Sequence, residues 1–190
     1  SELPNIVNIK DIYFTDEILN WTGILSSDIT ASVKSCSYST YISWNSSTNT
    51  FNINQNISWL SNISGGSYGG EYITLSTNET FDGNNYDIDI AGITTWEGFI
   101  SSSVSCTIKN IIINDSGTTA TYSQNAGGII RQLSTNFNVL NCSNNSRINN
   151  SFCGGIVGYR CLGIVDNCYN TNDVGSNSGG IVGAEFGYNN

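Results

Sequence analysis

The sequence of 190 residues contains no histidine, no methionine, a single proline and few charged residues. Without histidine there is no Ser-His-Asp triad, no Cys-His pair and no histidine-based metal site. Six basic residues stand against fifteen acidic ones, giving a net charge of −9, so the chain cannot neutralise the phosphates of a nucleic acid. Its apolar runs of three to four residues are too short to span a membrane. We therefore expect neither a nucleic-acid partner nor membrane insertion.

Small polar residues make up much of the chain, with 28 Asn, 27 Ser, 17 Thr and 20 Gly. The apolar content comes mainly from Ile and aromatic residues, in short runs separated by Asn, Ser and Gly. Such runs are typical of strands. No segment carries a convincing helical stripe, apart from a short turn at 15–19 that Thr15 could cap. The composition therefore predicts an all-β protein.

Two motifs recur in the same order through the C-terminal two-thirds of the chain. The first reads EGFI at 97–100, GGII at 127–130, GGIVG at 154–158 and GGIVG at 179–183. The second reads IKNI at 108–111, VLNC at 139–142 and VDNC at 165–168. The spacings, 25 to 31 residues, and the several short strands in each repeat predict a β-solenoid in which one repeat forms one coil.

The repeat predicts columns of equivalent residues on successive coils. Inward positions should form an aliphatic ladder, and Asn residues should form a second ladder because Asn tolerates left-handed backbone and stacked amides can hydrogen-bond. The aliphatic ladder comprises Phe99, Ile129, Ile156 and Ile181, and the second comprises Asn110, Asn141 and Asn167. We interpret the Asn column as structural; the alternative is a polar groove for a ligand.

A Gly/Ser-rich stretch at 62–70 provides the best domain boundary. We divide the chain into an N-terminal β-rich segment, residues 1–64, and a solenoid domain, residues 65–190. The N-terminal segment has no visible repeat and is either a small β module or a set of irregular leading coils. The solenoid should have coils of about 25–30 residues, with parallel strands about 4.8 Å apart.

Six cysteines are present, without the short spacings of a zinc site, and we expect no metal and no cofactor. Cys142 and Cys168 occupy equivalent repeat positions, so stacking would bring them within bridging distance. Cys153 and Cys161 flank one Gly-Gly strand and could close a corner. Disulfides at these pairs and free buried thiols fit the sequence equally well.

The GGIVG blocks, with NCYNT at 167–171, resemble the GLUG-type repeats of bacterial surface proteins and adhesins. The FDGN turn at 81–84, followed by such coils, is similar to the pectate-lyase-like right-handed β-helix superfamily. Heavy use of Asn and Ile, with Cys inside the repeats, is similar to repeat proteins of large AT-rich DNA viruses. The resemblance covers about residues 65–183 and implies a right-handed parallel β-helix.

The same superfamily contains polysaccharide lyases and hydrolases, which work with clustered acidic residues. Asp87 and Asp89 point outward from one predicted strand, but no acidic partner recurs one repeat later. The Asn-Thr-Asp, Asp-Asp and Gly-His-Gly blocks of the hydrolases are absent. We therefore expect a protein without enzymatic activity.

The predicted role is that of a structural protein, a capsid-associated or exterior component of a large DNA virus particle. The repeat continues to Gly183, so the last coil should bind other structural proteins or another copy of the chain through its open end. The alternative is a secreted or cell-surface adhesin, or a carbohydrate-binding module that contacts surface glycans.

Overall fold

Three faces of stacked strands form the described part of the chain, which in this computed structural model covers residues 28–35, 40–117 and 119–187. Residues 1–27, which include the turn expected at Thr15, lie outside the described part, as does Cys36. The described residues form a parallel β-solenoid of about four turns, which confirms the predicted fold class. The right-handed winding stays a prediction, in line with the general preference of parallel crossovers.

The strands are numbered in chain order and grouped by face. Face 1 contains β1 (Ile42–Asn45), β2 (Thr50–Ile53), β5 (Thr80–Asp82), β8 (Cys106–Lys109), β10 (Thr135–Leu140) and β12 (Leu162–Asp166). Face 2 contains β3 (Ile57–Ser58), β6 (Asp87–Asp89), β9 (Ile112–Asn114), β11 (Ser143–Asn144) and β13 (Tyr169–Asn170). Face 3 contains β4 (Ile73–Leu75) and β7 (Ile100–Ser102), and single bridges continue it through Ile130, Val157 and Val182.

Coils 1 to 5 begin at β2, β5, β8, β10 and β12, so four turns separate the first coil from the last. The strand pairs between the described coils are parallel, and the pairing keeps a constant register except between β10 and β12, where it shifts between Thr135 and Phe137. On face 1 one inward column runs through Phe51, Phe81, Ile108, Val139 and Val165. Burying each such side chain stabilises the fold by about 1.5–3 kcal/mol, so the repeated inward positions provide the core.

Glycine is required where successive coils approach most closely on face 3. A Cβ on Gly128 would lie 2.0 Å from the carbonyl oxygen of Gly155, and a Cβ on Gly155 would lie 2.1 Å from that of Gly180. The first glycine of a pair is constrained within its own coil, because a Cβ on Gly154 would lie 2.0 Å from the carbonyl oxygen of Val157. The Gly-Gly motif is thus a consequence of backbone packing.

The N-terminal end is closed by a short helix, α1 (Thr30–Ser35), and by β1, which pairs antiparallel with β2. Val33 of α1 and Ile42 of β1 are buried. Lys34 forms an ion pair with Glu79 and lies 4.5 Å from the ring centre of Trp44. The sequence analysis did not predict α1, because six residues are too few to show a helical stripe.

Residues before the predicted boundary take part in the solenoid. β2 and β3 pair in parallel with β5 and β6, and a π-helical turn, Trp59–Ile63, follows β3 directly. The boundary at 62–70 therefore lies in the connection between faces 2 and 3 of coil 1. Arg131 stabilises this connection, because it donates a hydrogen bond to the carbonyl oxygen of Gly70 at 3.2 Å and forms an ion pair with Glu97.

Replacing Ile156 with alanine should lower the free energy of unfolding by about 2–5 kcal/mol, because its side chain is fully buried. The matched change Ile181→Ala should cost less, since Ile181 is half-buried in coil 5. Urea unfolding followed by circular dichroism measures both losses. Equal losses would contradict the placement of coil 5 at an open end.

Candidate functional site

The residues of the expected aliphatic ladder lie on four successive coils. The backbone N–H of Phe99 donates to the carbonyl oxygen of Ile129 at 3.0 Å, Ile129 donates to Ile156 at 3.0 Å, and Ile156 donates to Ile181 at 2.9 Å. Phe99, Ile129 and Ile156 are fully buried, whereas Ile181 is half-buried. The difference arises because no described residues form a coil over coil 5.

The expected Asn column occupies the corner between faces 1 and 2. Asn110, Asn141 and Asn167 have φ values of 56°, 54° and 49°, which is the left-handed conformation that Asn tolerates. The side-chain amide of Asn167 donates to that of Asn141 at 2.7 Å, and the amide of Asn110 donates to the carboxylate of Asp82 at 2.9 Å. These amides connect neighbouring coils along the corner.

A second Asn pair lies inside the solenoid, and the sequence analysis missed it. The fully buried Asn144 donates to the side-chain oxygen of Asn170 at 3.0 Å and accepts from the hydroxyl of Ser146 at 2.6 Å. The Tyr122 hydroxyl lies 2.7 Å from that of Ser146. An unpaired buried amide would cost about 1–3 kcal/mol, so this network allows polar side chains in the core.

The sequence does contain a signal for this pair. An Asn follows three residues after each of the corner asparagines Asn141 and Asn167, but not after Asn110, where Ile113 takes the inward position. The aliphatic column of face 2, which begins with Ile57 and Ile88, therefore becomes polar in the last two coils.

The cysteines that were candidates for bridging coils 4 and 5 are stacked but not bonded. Cys142 and Cys168 follow the corner asparagines, and their thiols donate to the carbonyl oxygens of Leu140 at 3.2 Å and Asp166 at 3.3 Å. All five cysteines of the described ranges are free. Interaction with the neighbouring Cys142 thiol, opposed by burial, lowers the pKa of Cys168 to about 7. Interaction with the Cys168 thiol, together with burial, raises the pKa of Cys142.

The other two candidate cysteines, Cys153 and Cys161, lie at different corners of the solenoid. The Cys153 thiol lies just before the Gly-Gly block and donates to the carbonyl oxygen of Ser123 at 3.1 Å. The Cys161 thiol lies just before β12 and donates to the carbonyl oxygen of Arg131 at 3.2 Å. Burial raises the pKa of both thiols, that of Cys161 to about 11. Both are therefore protonated at neutral pH.

The outward acids of β6 lie at a shallow depression of about 250 Å³ on face 2. Its lining consists of Asn56, Ile57, Ser58, Asp87, Asp89, Asn114 and Ser116. The Asp89 carboxylate accepts hydrogen bonds from the backbone N–H groups of Ala91 at 3.0 Å and Ser116 at 3.2 Å. Asp89 thus fixes two adjacent turns. Within 28–35, 40–117 and 119–187, no three Cys, Asp or Glu side chains are grouped in a way that could hold a metal ion.

The C-terminal end surface is defined here by the inward residues of coil 5: Val165, Cys168, Val174, Ile181 and Val182. β12 and β13 each pair with a neighbour on one side only. Val174 is 40% exposed, whereas Ile148, its partner in coil 4, is fully buried. The core of the solenoid is therefore open to solvent at this end of the described chain.

No protein-family model, curated protein or solved structure matches the chain. Among the helices that the structure describes, none has the length and apolar character needed to cross a membrane. Its architecture is that of a β-helix repeat protein.

Cys168 should react with iodoacetamide before the other described cysteines, because a pKa of about 7 leaves about half of its thiol ionised at neutral pH. Peptide mass spectrometry after brief labelling at several pH values measures the order. In a Cys142→Ala variant, the midpoint of Cys168 labelling should move towards the ordinary thiol pKa of about 8.5. An unchanged midpoint would show that Cys142 does not stabilise the thiolate.

Proposed function

We propose that this chain is a structural protein without enzymatic activity, a rigid β-solenoid scaffold that enters an assembly through its C-terminal end surface. The observation that carries the proposal is the difference between the two ends. α1 and β1 cover the N-terminal end, whereas the inward aliphatic residues of coil 5 remain half-exposed. Strand edges with unpaired backbone groups are templates for pairing with other chains.

A scaffold must keep its shape, and the contacts between coils support this requirement. One continuous core cluster extends from Val33 to Cys161. Large aromatic side chains fill its first half: the ring centre of Trp59 lies 5.6 Å from that of Trp96 and 5.0 Å from that of Phe99. Because each coil is hydrogen-bonded to its neighbours on three faces, bending the solenoid would break many bonds together.

We assign the assembly to the exterior or capsid of a large DNA virus particle. Support comes from the Asn- and Ile-rich repeats with internal Cys, which resemble proteins of such viruses, and from the GLUG-like GGIVG blocks. The net charge of −9 suits a component that does not face packaged nucleic acid. The five cysteines of the described residues are free thiols, which suit assembly in a reducing compartment more than secretion.

The alternative role is a cell-surface adhesin or carbohydrate-binding module. The depression on face 2 favours it, because carboxylate and amide groups such as those of Asp87 and Asn114 can hydrogen-bond to sugar hydroxyls. The described residues present no aromatic stripe on which sugar rings could stack. The exposed Tyr86, Phe152 and Tyr169 belong to coils 2, 4 and 5 and do not follow one face.

Purified virus particles from the source of this chain should contain it in a fixed ratio to the major capsid protein. The ratio should survive a high-salt wash, because main-chain pairing is less sensitive to salt than contacts between surface charges. Quantitative mass spectrometry measures the ratio.

Glycan-array binding and polysaccharide turnover, each compared with an Asp87→Asn variant, test the other roles. A chain that is absent from particles and binds glycans through Asp87 would replace the scaffold by the adhesin. Turnover of pectin or alginate that is lost in Asp87→Asn would overturn the proposed lack of enzymatic activity.

A further inference from the structure

Within the described chain, no close backbone contact requires a glycine at position 180. Its equivalents Gly128 and Gly155 each lie under a carbonyl oxygen of the following coil, where a Cβ would approach to 2.0 and 2.1 Å. At Gly180 a Cβ would meet only a methyl carbon of Val174, at 3.8 Å, which is an ordinary contact. Its φ is not among the positive values. Glycine would be required at 180 only if another backbone passed over it.

The strand edges beside Gly180 are free to pair with such a backbone. The strands β12 and β13 have unused edges, and Val182 is bridged only to Val157 of coil 4. The inward side chains beside these edges, Val165 and Ile181, are only partly buried. A further coil would bury them in the way that coil 5 buries Val139 and Ile156.

The charge at this end indicates the chemistry of the partner. In one column of face 1, Asp82 is followed by Lys109, Leu140 and Asp166 on successive coils. The Lys109 ammonium lies 3.0 Å from the Asp82 carboxylate, so an acid is paired with a base on the following coil. Asp166 is exposed and belongs to none of the ion pairs of the described residues. A base on an overlying coil would repeat the Asp82–Lys109 contact.

The same charges disfavour a second copy of this chain as the occupant. Two C-terminal end surfaces in contact would bring together Asp166 and the exposed Asp173 of both copies. Each copy also carries a net charge of −9, which opposes association.

We propose that the C-terminal end surface binds one β-coil of a basic polypeptide from another protein. The partner coil adds parallel strands to β12 and β13, places a Lys or Arg beside Asp166, and passes its backbone over Gly180. Aliphatic side chains of the partner cover Val165 and Ile181. The inference rests on the proposed function and deepens it, because it names the chemistry of the component to which the scaffold binds.

One coil of this chain supplies the probe. A fluorescent synthetic peptide of residues 105–131, with Cys106→Ser, contains the coil that lies over Asp82 and carries Lys109 in the matching column. Fluorescence anisotropy in a titration with the 190-residue chain measures the dissociation constant of the peptide. We expect binding, weakened at least about fivefold by Gly180→Ala, because an added methyl overpacks the contact. A lack of binding by the unaltered chain would overturn the proposal.

A charge exchange tests the register. A Lys109→Glu peptide should bind about two- to fivefold more weakly than the original peptide. An Asp166→Lys variant of the chain should restore its binding. If the exchange restores nothing, Asp166 does not face the partner's base and the proposed register is wrong.

Gly155→Ala is the matched control for folding. It should lower the urea midpoint of the chain, whereas Gly180→Ala should leave the midpoint unchanged. A Gly180→Ala variant that binds as tightly as the original chain would overturn the backbone contact. Dimers in analytical ultracentrifugation that Gly180→Ala abolishes would identify a second copy as the occupant and also overturn the proposal.

The proposed function is tested separately from the partner. If the chain is present in particles but does not bind the peptide, the scaffold role stands and the proposal of a basic partner is wrong. If the chain binds the peptide but is absent from particles, the docking surface stands and the assignment to a virus particle is wrong.

Discussion

Successive coils approach each other backbone to backbone, and this spacing constrains every other feature of the molecule. At about 4.8 Å, each residue lies over its equivalent in the neighbouring coil, so inward positions must be similar from coil to coil. The spacing leaves no room for a Cβ at Gly128 or Gly155. It also places Cys168 over Cys142 at the same position of the next coil. Ladders, glycine pairs and thiol pair are therefore consequences of one distance.

Features repeated on several successive coils could be predicted from the sequence. The Gly-Gly and aliphatic-x-Asn motifs predicted the solenoid and the period of its coils, because a stacked architecture copies each requirement along the chain. Features that occur once gave no periodic signal. α1 and the π-helical turn at Trp59–Ile63 are too short to show a pattern, and they form because they close the first coil.

The candidate site was predictable in its position but only partly in its chemistry. The equivalent positions of Cys142 and Cys168 in the repeat indicated that they stack. The sequence left open whether these thiols are bonded, and the lowered pKa of Cys168 depends on its interaction with the neighbouring Cys142 thiol, which needs coordinates. The inward turn of Asn144 could not be deduced either, since Asn is common throughout the chain.

The polar pair Asn144 and Asn170 occupies positions that Ile57, Ile88 and Ile113 fill in earlier coils. Less apolar surface is buried there, and in a stack of repeats each coil gains stability only from its neighbours. Resistance to local opening should therefore decline along the axis, with coil 5 fraying first and the aromatic-rich coils persisting. The surface that we propose for docking is then also the least stable part of the described solenoid, and a bound partner would complete its folding.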